Sequence, residues 1–170
     1  MTLDSAIPLI VSVVLALAAA ASGAIFKPGS WYKALAKPPW RPPDWLFGPV
    51  WMILYGMMAV AAWMVYEAAG FAGAGTALGI YFVHLLLNAG WSAVFFGMKS
   101  PGWGLVEVVG LWASIVATIV AFLPISTTAA LLLLPYLVWV SFAAVLNHRI
   151  WQLNPGGKPA GQSTDSKQAA

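Results

Sequence analysis

The chain has 170 residues, of which 61% are apolar and only 8% charged, with a mean hydropathy of +0.84. That balance excludes an ordinary water-soluble globule, and the length leaves no room for a separate soluble catalytic module. The net charge of +3 and pI near 9.3 come from cations scattered between apolar runs rather than from a basic face, which argues against nucleic-acid binding; the lack of cysteine rules out disulfides, thiolate chemistry and cysteine-ligated clusters.

Five nearly uncharged stretches approach or exceed the roughly 20 residues that cross a bilayer as a helix: 7–26, 45–66, 76–98, 103–123 and 128–146. They predict an all-α integral membrane protein, a bundle of five transmembrane helices over residues 1–153. The first stretch has a rival reading as a secretory signal, because Ala18 to Ala24 is a run of small residues after an apolar core. A signal wants a cationic front end, whereas Met1 to Ala6 offers only Asp4. Ala16, Ala20 and Ala24 recur at four-residue spacing and predict close helix approach on this span.

The connection at 27–44 is the most unusual segment. Its core, Trp31-Tyr-Lys-Ala-Leu-Ala-Lys-Pro-Pro-Trp-Arg-Pro-Pro-Asp-Trp45, holds three Trp, one Tyr, three cations and four prolines. Proline fixes φ and disfavours helix in the residue before it, so Lys37 to Pro43 is predicted to be extended and stiff. Two readings stand: a rigid aromatic flap carrying Tyr32 and Trp40 over the bundle mouth, or an interfacial belt of Trp, Tyr, Lys and Arg at the headgroups.

On the second span Trp51, Tyr55 and Met58 share one helix face. Gly70, Gly73 and Gly75 then punctuate the chain. On the third span His84, Asn88 and Trp91 follow at i, i+4 and i+7, with Phe95 one turn further, a polar and aromatic stripe that at this depth must face protein or a cavity. The fourth span carries Glu107, the one carboxylate well inside any span and a candidate for a proton relay. Pro135 predicts a kink in the fifth span, where Trp139, Ala143 and Asn147 line one face. Aromatic faces with sparse hydrogen-bonding groups on three helices make a site for a flat, largely apolar ligand. Interhelical packing, with Asn and His as hydrogen-bond partners, accounts for the same pattern. His84 reads as a packing residue, a ligand contact or a metal or haem ligand; no grouping of residues marks a metal site.

Residues 154–170, rich in Pro, Gly, Ser, Gln and Lys, are predicted to be a polar disordered tail without function. The eight cations fall four in the first connection, one in the third and three at the C-terminal end, with none in the others. The positive-inside rule then puts the N-terminus outside and the C-terminus in the cytoplasm.

At these residues the chain resembles the TspO/MBR family, the tryptophan-rich sensory proteins whose mitochondrial members are called translocator protein or peripheral benzodiazepine receptor. The resemblance covers nearly all of positions 23–154. It rests on the Trp31 to Trp45 segment, Phe47-Gly-Pro-Val-Trp-Met-Ile-Leu-Tyr55, Leu87-Asn-Ala-Gly-Trp-Ser-Ala-Val-Phe-Phe-Gly97, and Pro135-Tyr-Leu-Val-Trp-Val-Ser-Phe-Ala143 followed by Leu146-Asn147.

The resemblance implies a five-helix bundle, usually a homodimer, with a pocket under the first loop that binds porphyrins, haem and isoquinoline or benzodiazepine compounds. It implies the tetrapyrrole as a ligand and no required cofactor. Matched position by position, it implies Tyr32, Trp51, Asn88, Trp139 and Ala143 as pocket residues, with Lys33, Lys37 or Arg41 available to porphyrin carboxylates. The functions implied are a receptor or sensor, with two alternatives. One is light-driven porphyrin oxidation at Trp51 and Trp139; the other is transport, for which five spans without an internal repeat offer no obvious alternating access. A sterol motif proposed for the family is broken here, with His148 in place of Tyr and Gln152 in place of the final cation, which argues against strong cholesterol recognition. The charge bias suits an inner membrane, while the resemblance also admits outer membranes.

Overall fold

The computed structural model describes residues 3–158, and among them every regular element is helical. In chain order these are α1 (Leu3–Ile25), a short turn α2 (Ser30–Ala34), α3 (Asp44–Ser92) running into a π-helical turn (Ala93–Gly97), α4 (Pro101–Phe122), α5 (Thr127–Leu132), α6 (Leu134–Leu153) and a 3-10 turn (Pro155–Gly157).

Among the described residues four continuous helical stretches are long and apolar enough to cross a membrane, and one of them, Asp44–Gly97, has 54 residues. Drawn straight it would run about 80 Å, more than twice the roughly 30 Å hydrocarbon core. It folds back instead. Gly70 has φ 58° and ψ −173°, and Tyr55 and Asn88, 33 positions apart, meet at 2.6 Å. The two limbs of α3 are therefore the second and third of the five spans. The connection is tighter than the gap between the predicted spans 45–66 and 76–98, because helix resumes directly after Gly70.

That backbone conformation lies in a region open essentially to glycine alone. Gly70→Ala is expected to cost about 1–3 kcal/mol and lower the thermal midpoint in detergent. Gly70→Asn is expected to do no better, since asparagine tolerates the left-handed helical region and not this one. An alanine variant that melts with the native protein would contradict the assignment.

The fifth span is α5 and α6 together, interrupted at Leu133, two residues before Pro135. Proline has no N–H to offer the carbonyl four residues back, so the ladder breaks where the sequence placed the kink. Ser126 caps α5, its hydroxyl accepting from the Ala129 amide at 3.3 Å.

Burial explains why these helices assemble as they do. Met58, Ile115, Phe122, Leu133 and Tyr136 are fully enclosed at the centre, while Ile10, Leu17, Val106 and Val138 are each 60% or more exposed. An apolar surface repeated on successive spans would be untenable in water and is at home in lipid. The protein is a multi-pass integral membrane protein.

The two ends of the bundle differ. At one end Ser5 donates to Glu67 at 2.9 Å and the Trp63 indole donates to the Ser5 carbonyl at 3.2 Å. At the other end the first connection, the turn around Lys99 and the segment after α6 meet. The Trp31 indole donates to the Gly157 carbonyl at 3.0 Å, and the Asn154 side chain pairs with the Ala36 backbone. The cations of the first connection, Lys99, Arg149 and Lys158 gather here; Lys167 lies outside the described residues.

The expected tail starting at 154 is corrected by these contacts: Asn154 is fully buried, so the packed unit includes at least the turn that follows it. The remainder of the predicted tail, 159–170, lies outside the described residues.

Candidate functional site: a tryptophan-lined cavity

A cavity of about 550 Å³ lies within the bundle, in the size range of small-molecule sites. The first limb of α3 contributes Gly48, Trp51, Met52, Tyr55, Gly56 and Ala59, a helix stripe with spacings of three and four. The second limb adds Asn88, Trp91, Ser92 and Phe96; α6 adds Trp139, Val140 and Ala143. From α1 come Val13, Ala16, Leu17, Ala20 and Gly23, and from α4 Val108 and Leu111.

The participation of α1 and α4 was not anticipated. Their lining residues are aliphatic or small, and such residues carry no signal that separates a cavity wall from ordinary packing. The alanines at 16 and 20, expected to permit close helix approach, face this space and leave room in it. Leu17 and Met52, 60% and 76% exposed, form its outer rim between α1 and α3.

Among the described residues no ionisable side chain other than tyrosine lines the cavity, so its chemistry is aromatic surface plus a few neutral polar groups. Trp51 lies 5.5 Å from Tyr55 and 6.0 Å from Tyr136, ring centre to ring centre, and Trp139 lies 5.5 Å from Phe47 and 5.7 Å from Phe142. The indole nitrogens of Trp91 and Trp139 are buried without a hydrogen-bond partner among the described residues. Both indole N–H groups are donors left over for an acceptor brought by a ligand or water.

A chain of hydrogen bonds runs inward from the cavity wall. The Tyr55 hydroxyl donates to Asn88 Oδ1 at 2.6 Å, and Asn88 Nδ2 donates to the Tyr136 oxygen at 2.8 Å. Tyr136 lies 3.2 Å from His84 Nε2, and His84 Nδ1 lies 3.2 Å from the Tyr81 carbonyl. One proton arrangement satisfies every link: His84 carries its proton on Nδ1 and donates it to Tyr81, leaving Nε2 to accept from Tyr136.

His84 is accordingly a packed core residue behind the wall, 1% exposed, and does not reach the cavity. Among the described residues no three metal-binding side chains come together. Tyr136, the hub of the chain, was missed as a site residue although it stands three residues before Trp139 and seven before Ala143 on the same helical face.

The structure thus brings Trp51, Tyr55, Asn88, Trp91, Trp139 and Ala143 to one cavity. Tyr32, Trp40, Phe95 and Asn147 lie outside its lining. Tyr32 packs edge-on against Phe96, one layer behind the wall, and Trp40 against Phe142. Phe95 is buried with Leu35, Leu146 and Ile150 beneath the first connection. The π-helical turn takes more residues per turn than an α-helix, and within it Phe96 rather than Phe95 reaches the cavity. Asn147 is taken up in structure, its Nδ2 donating to the Pro101 carbonyl at 2.7 Å.

Glu107 has both carboxylate oxygens buried without a partner, Oε1 close to Gly90. Among the described residues no hydrogen bond connects it to the inward chain, so the proton relay considered for it has no second member there.

The loop above the cavity is held partly by its own cations. Lys37 Nζ donates to the Lys33 and Leu35 carbonyls at 3.2 and 3.0 Å and sits 4.5 Å above the Tyr32 ring. Burial lowers the Lys37 pKa, with the neighbouring Arg41 charge acting in the same direction and Asp44 opposing. Burial raises that of Tyr32, aided by Asp44 and opposed by Arg41. Arg41 pairs with Asp44. Lys37 and Arg41 are therefore already engaged, and Lys33 is the exposed member of the three.

Fold and cavity together define a helical membrane protein with an internal, aromatic-lined cavity. The sequence pattern of the TspO/MBR family matches residues 10–152, and the chain belongs to that family. It is 51% identical over 146 residues to the tryptophan-rich protein TspO of Chlorobaculum tepidum, covering 83% of this chain and 92% of the relative. It is 42% identical over 137 residues to the tryptophan-rich sensory protein of Cereibacter sphaeroides, covering 81% and 85%. Similarity extends to the translocator protein of Ovis aries, 42% over 128 residues, covering 74% and 76%. The names of these relatives support a membrane receptor or sensor role in the family.

Proposed function

We propose that the protein is a membrane receptor for a flat, largely apolar tetrapyrrole of the porphyrin or haem type, and that it also accepts benzodiazepine- or isoquinoline-like compounds. The observation that carries this reading is the cavity itself: three indoles around about 550 Å³, with no charged side chain among the described residues that line it. Indole faces stack on an extended π-system with offset or edge geometry. The Trp91 and Trp139 N–H groups, unpartnered at present, supply donors to a ligand edge. Asn88 has less to give, because Tyr55 and Tyr136 already occupy its oxygen and one of its N–H groups. Propionate-type carboxylates are best placed outside, towards Lys33 and the other cations at that end.

Protoporphyrin IX and haemin titrated into purified protein in detergent are expected to quench tryptophan fluorescence saturably at micromolar concentration. A quench that rises linearly without saturation would overturn the proposal. A second reading draws on Trp51 and Trp139 lining the same space: light and oxygen act on a bound porphyrin, with the indoles as the nearest oxidisable groups. The sensitiser would be the ligand's own ring system. It predicts that the Soret band of the complex bleaches faster under illumination than that of free porphyrin; equal rates would remove it.

A further inference from the structure

We infer that the segment following α6 is a latch that fixes the first connection over the cavity, with Asn154 as its positioning residue. The 154–157 turn reads in sequence as the beginning of a polar tail, yet Asn154 is fully buried. Its side chain makes three hydrogen bonds, which use both N–H donors and one of the two acceptor positions on Oδ1. Oδ1 accepts from the Ala36 amide at 2.9 Å, and Nδ2 donates to the Ala36 carbonyl at 2.9 Å and to the Ile150 carbonyl at 2.8 Å. The side-chain amide thus pairs with both polar groups of one loop residue, as a neighbouring strand would, while its third bond ties it to the last turn of α6.

A second tie lies three residues on, where the Gly157 carbonyl accepts from the Trp31 indole at 3.0 Å. Gly157 has φ +72°, and a Cβ there would stand 3.1 Å from the Lys99 carbonyl oxygen. The left-handed backbone and the close carbonyl both favour glycine here, where the latch packs against the turn before α4. Between the two ties Leu35 is buried against Phe95 and Ile150.

The latch is coupled to the cavity through one layer of rings. Trp31 and Tyr32 pack on Phe95, and Tyr32 on Phe96, which lines the cavity. Opening the Ala36 pair frees the loop without unfolding any span, so the latch sets how long a ligand stays rather than whether the bundle forms. This last step rests on the proposed ligand-binding function.

Hydrogen exchange of the ligand-free full chain in nanodiscs tests the latch independently of any ligand. Asn154→Ala is expected to speed exchange at the Ala36 amide by about tenfold or more, leaving the α3 hairpin unchanged, since both side-chain hydrogen bonds to that residue are lost. Trp31→Phe keeps the ring and removes only the N–H, and is expected to give a smaller increase; it serves should the alanine variant fail to fold. Unchanged Ala36 exchange in a folded Asn154→Ala, or in Trp31→Phe where only that variant folds, overturns the latch.

Stopped-flow release of protoporphyrin IX is then expected to accelerate about tenfold in Asn154→Ala with little change in association. Faster exchange with unchanged release overturns the claim that the loop retains the ligand. Lack of saturable porphyrin binding in the unmodified protein counts against the receptor reading and leaves the exchange experiment to decide the latch.

Discussion

Replacing Trp51 and Trp139 together with alanine is expected to weaken protoporphyrin binding by about a hundredfold. Each indole lines the cavity, and an aromatic stacking contact contributes about 0.5–1.5 kcal/mol beyond area burial. Two such contacts and their lost apolar area come to about 3 kcal/mol, or two orders of magnitude in affinity. The paired phenylalanine variant keeps an aromatic face at both sites and is expected to bind within a few-fold of the native protein. Tyr32→Phe, one layer behind the wall, is expected to leave affinity nearly unchanged.

Fluorescence titration of the three variants, with circular dichroism to establish that each is folded, separates the readings. An alanine pair that binds as tightly as the native protein would place the ligand elsewhere. The phenylalanine pair also isolates chemistry from binding: if it binds porphyrin and bleaches it as the native protein does, the indoles take no part in photo-oxidation.

Tyr136→Phe is expected to destabilise the bundle by about 1–3 kcal/mol without changing its apolar packing. The hydroxyl accepts from Asn88 and lies within hydrogen-bonding distance of His84, so its removal strands a donor and an acceptor in a site that water does not reach. Single interhelical hydrogen bonds in membrane bundles average only about 0.6 kcal/mol, but here two partners lose their mate at once. In detergent the thermal midpoint is expected to fall by several degrees. A shift under about 1 °C would mean that Asn88 and His84 find other partners, and the hydrogen-bond chain would lose its structural role. Asn88→Ala, which strands Tyr55 and Tyr136 instead, is expected to cost a similar amount and to disturb the cavity wall directly.

Much of this protein was legible before any coordinates. The five spans followed from apolar length, the bent fifth span from Pro135, and the gathering of cations at one end from their placement in alternate connections. Trp51, Tyr55, Asn88, Trp91, Trp139 and Ala143 were picked from helical spacing or family resemblance, and all six line the cavity. Large aromatic and amide side chains are scarce enough inside a membrane span for their periodicity to be visible.

Other features were hidden for physical reasons. His84 shares a helical face with Asn88 and Trp91, but a face spans several ångströms, and Tyr136 interposes between the imidazole and the cavity. The contribution of α1 escaped notice because Val, Leu, Ala and Gly look the same whether they pack on a helix or border a void. Asn154 escaped because a Pro-Gly-Gly run after a helix has the composition of a tail, and its partner, the Ala36 backbone, lies 118 positions away.

The sequence alone determined that this chain crosses a membrane five times as helices and that several spans carry aromatic faces, because both properties depend on local spacing and on transfer from water to lipid. The tertiary structure alone decided which of those faces enclose empty space, which polar groups satisfy one another, and which remain free for a ligand. Those outcomes depend on pairs of residues from distant parts of the chain, and only the assembled bundle brings them within hydrogen-bonding or van der Waals reach.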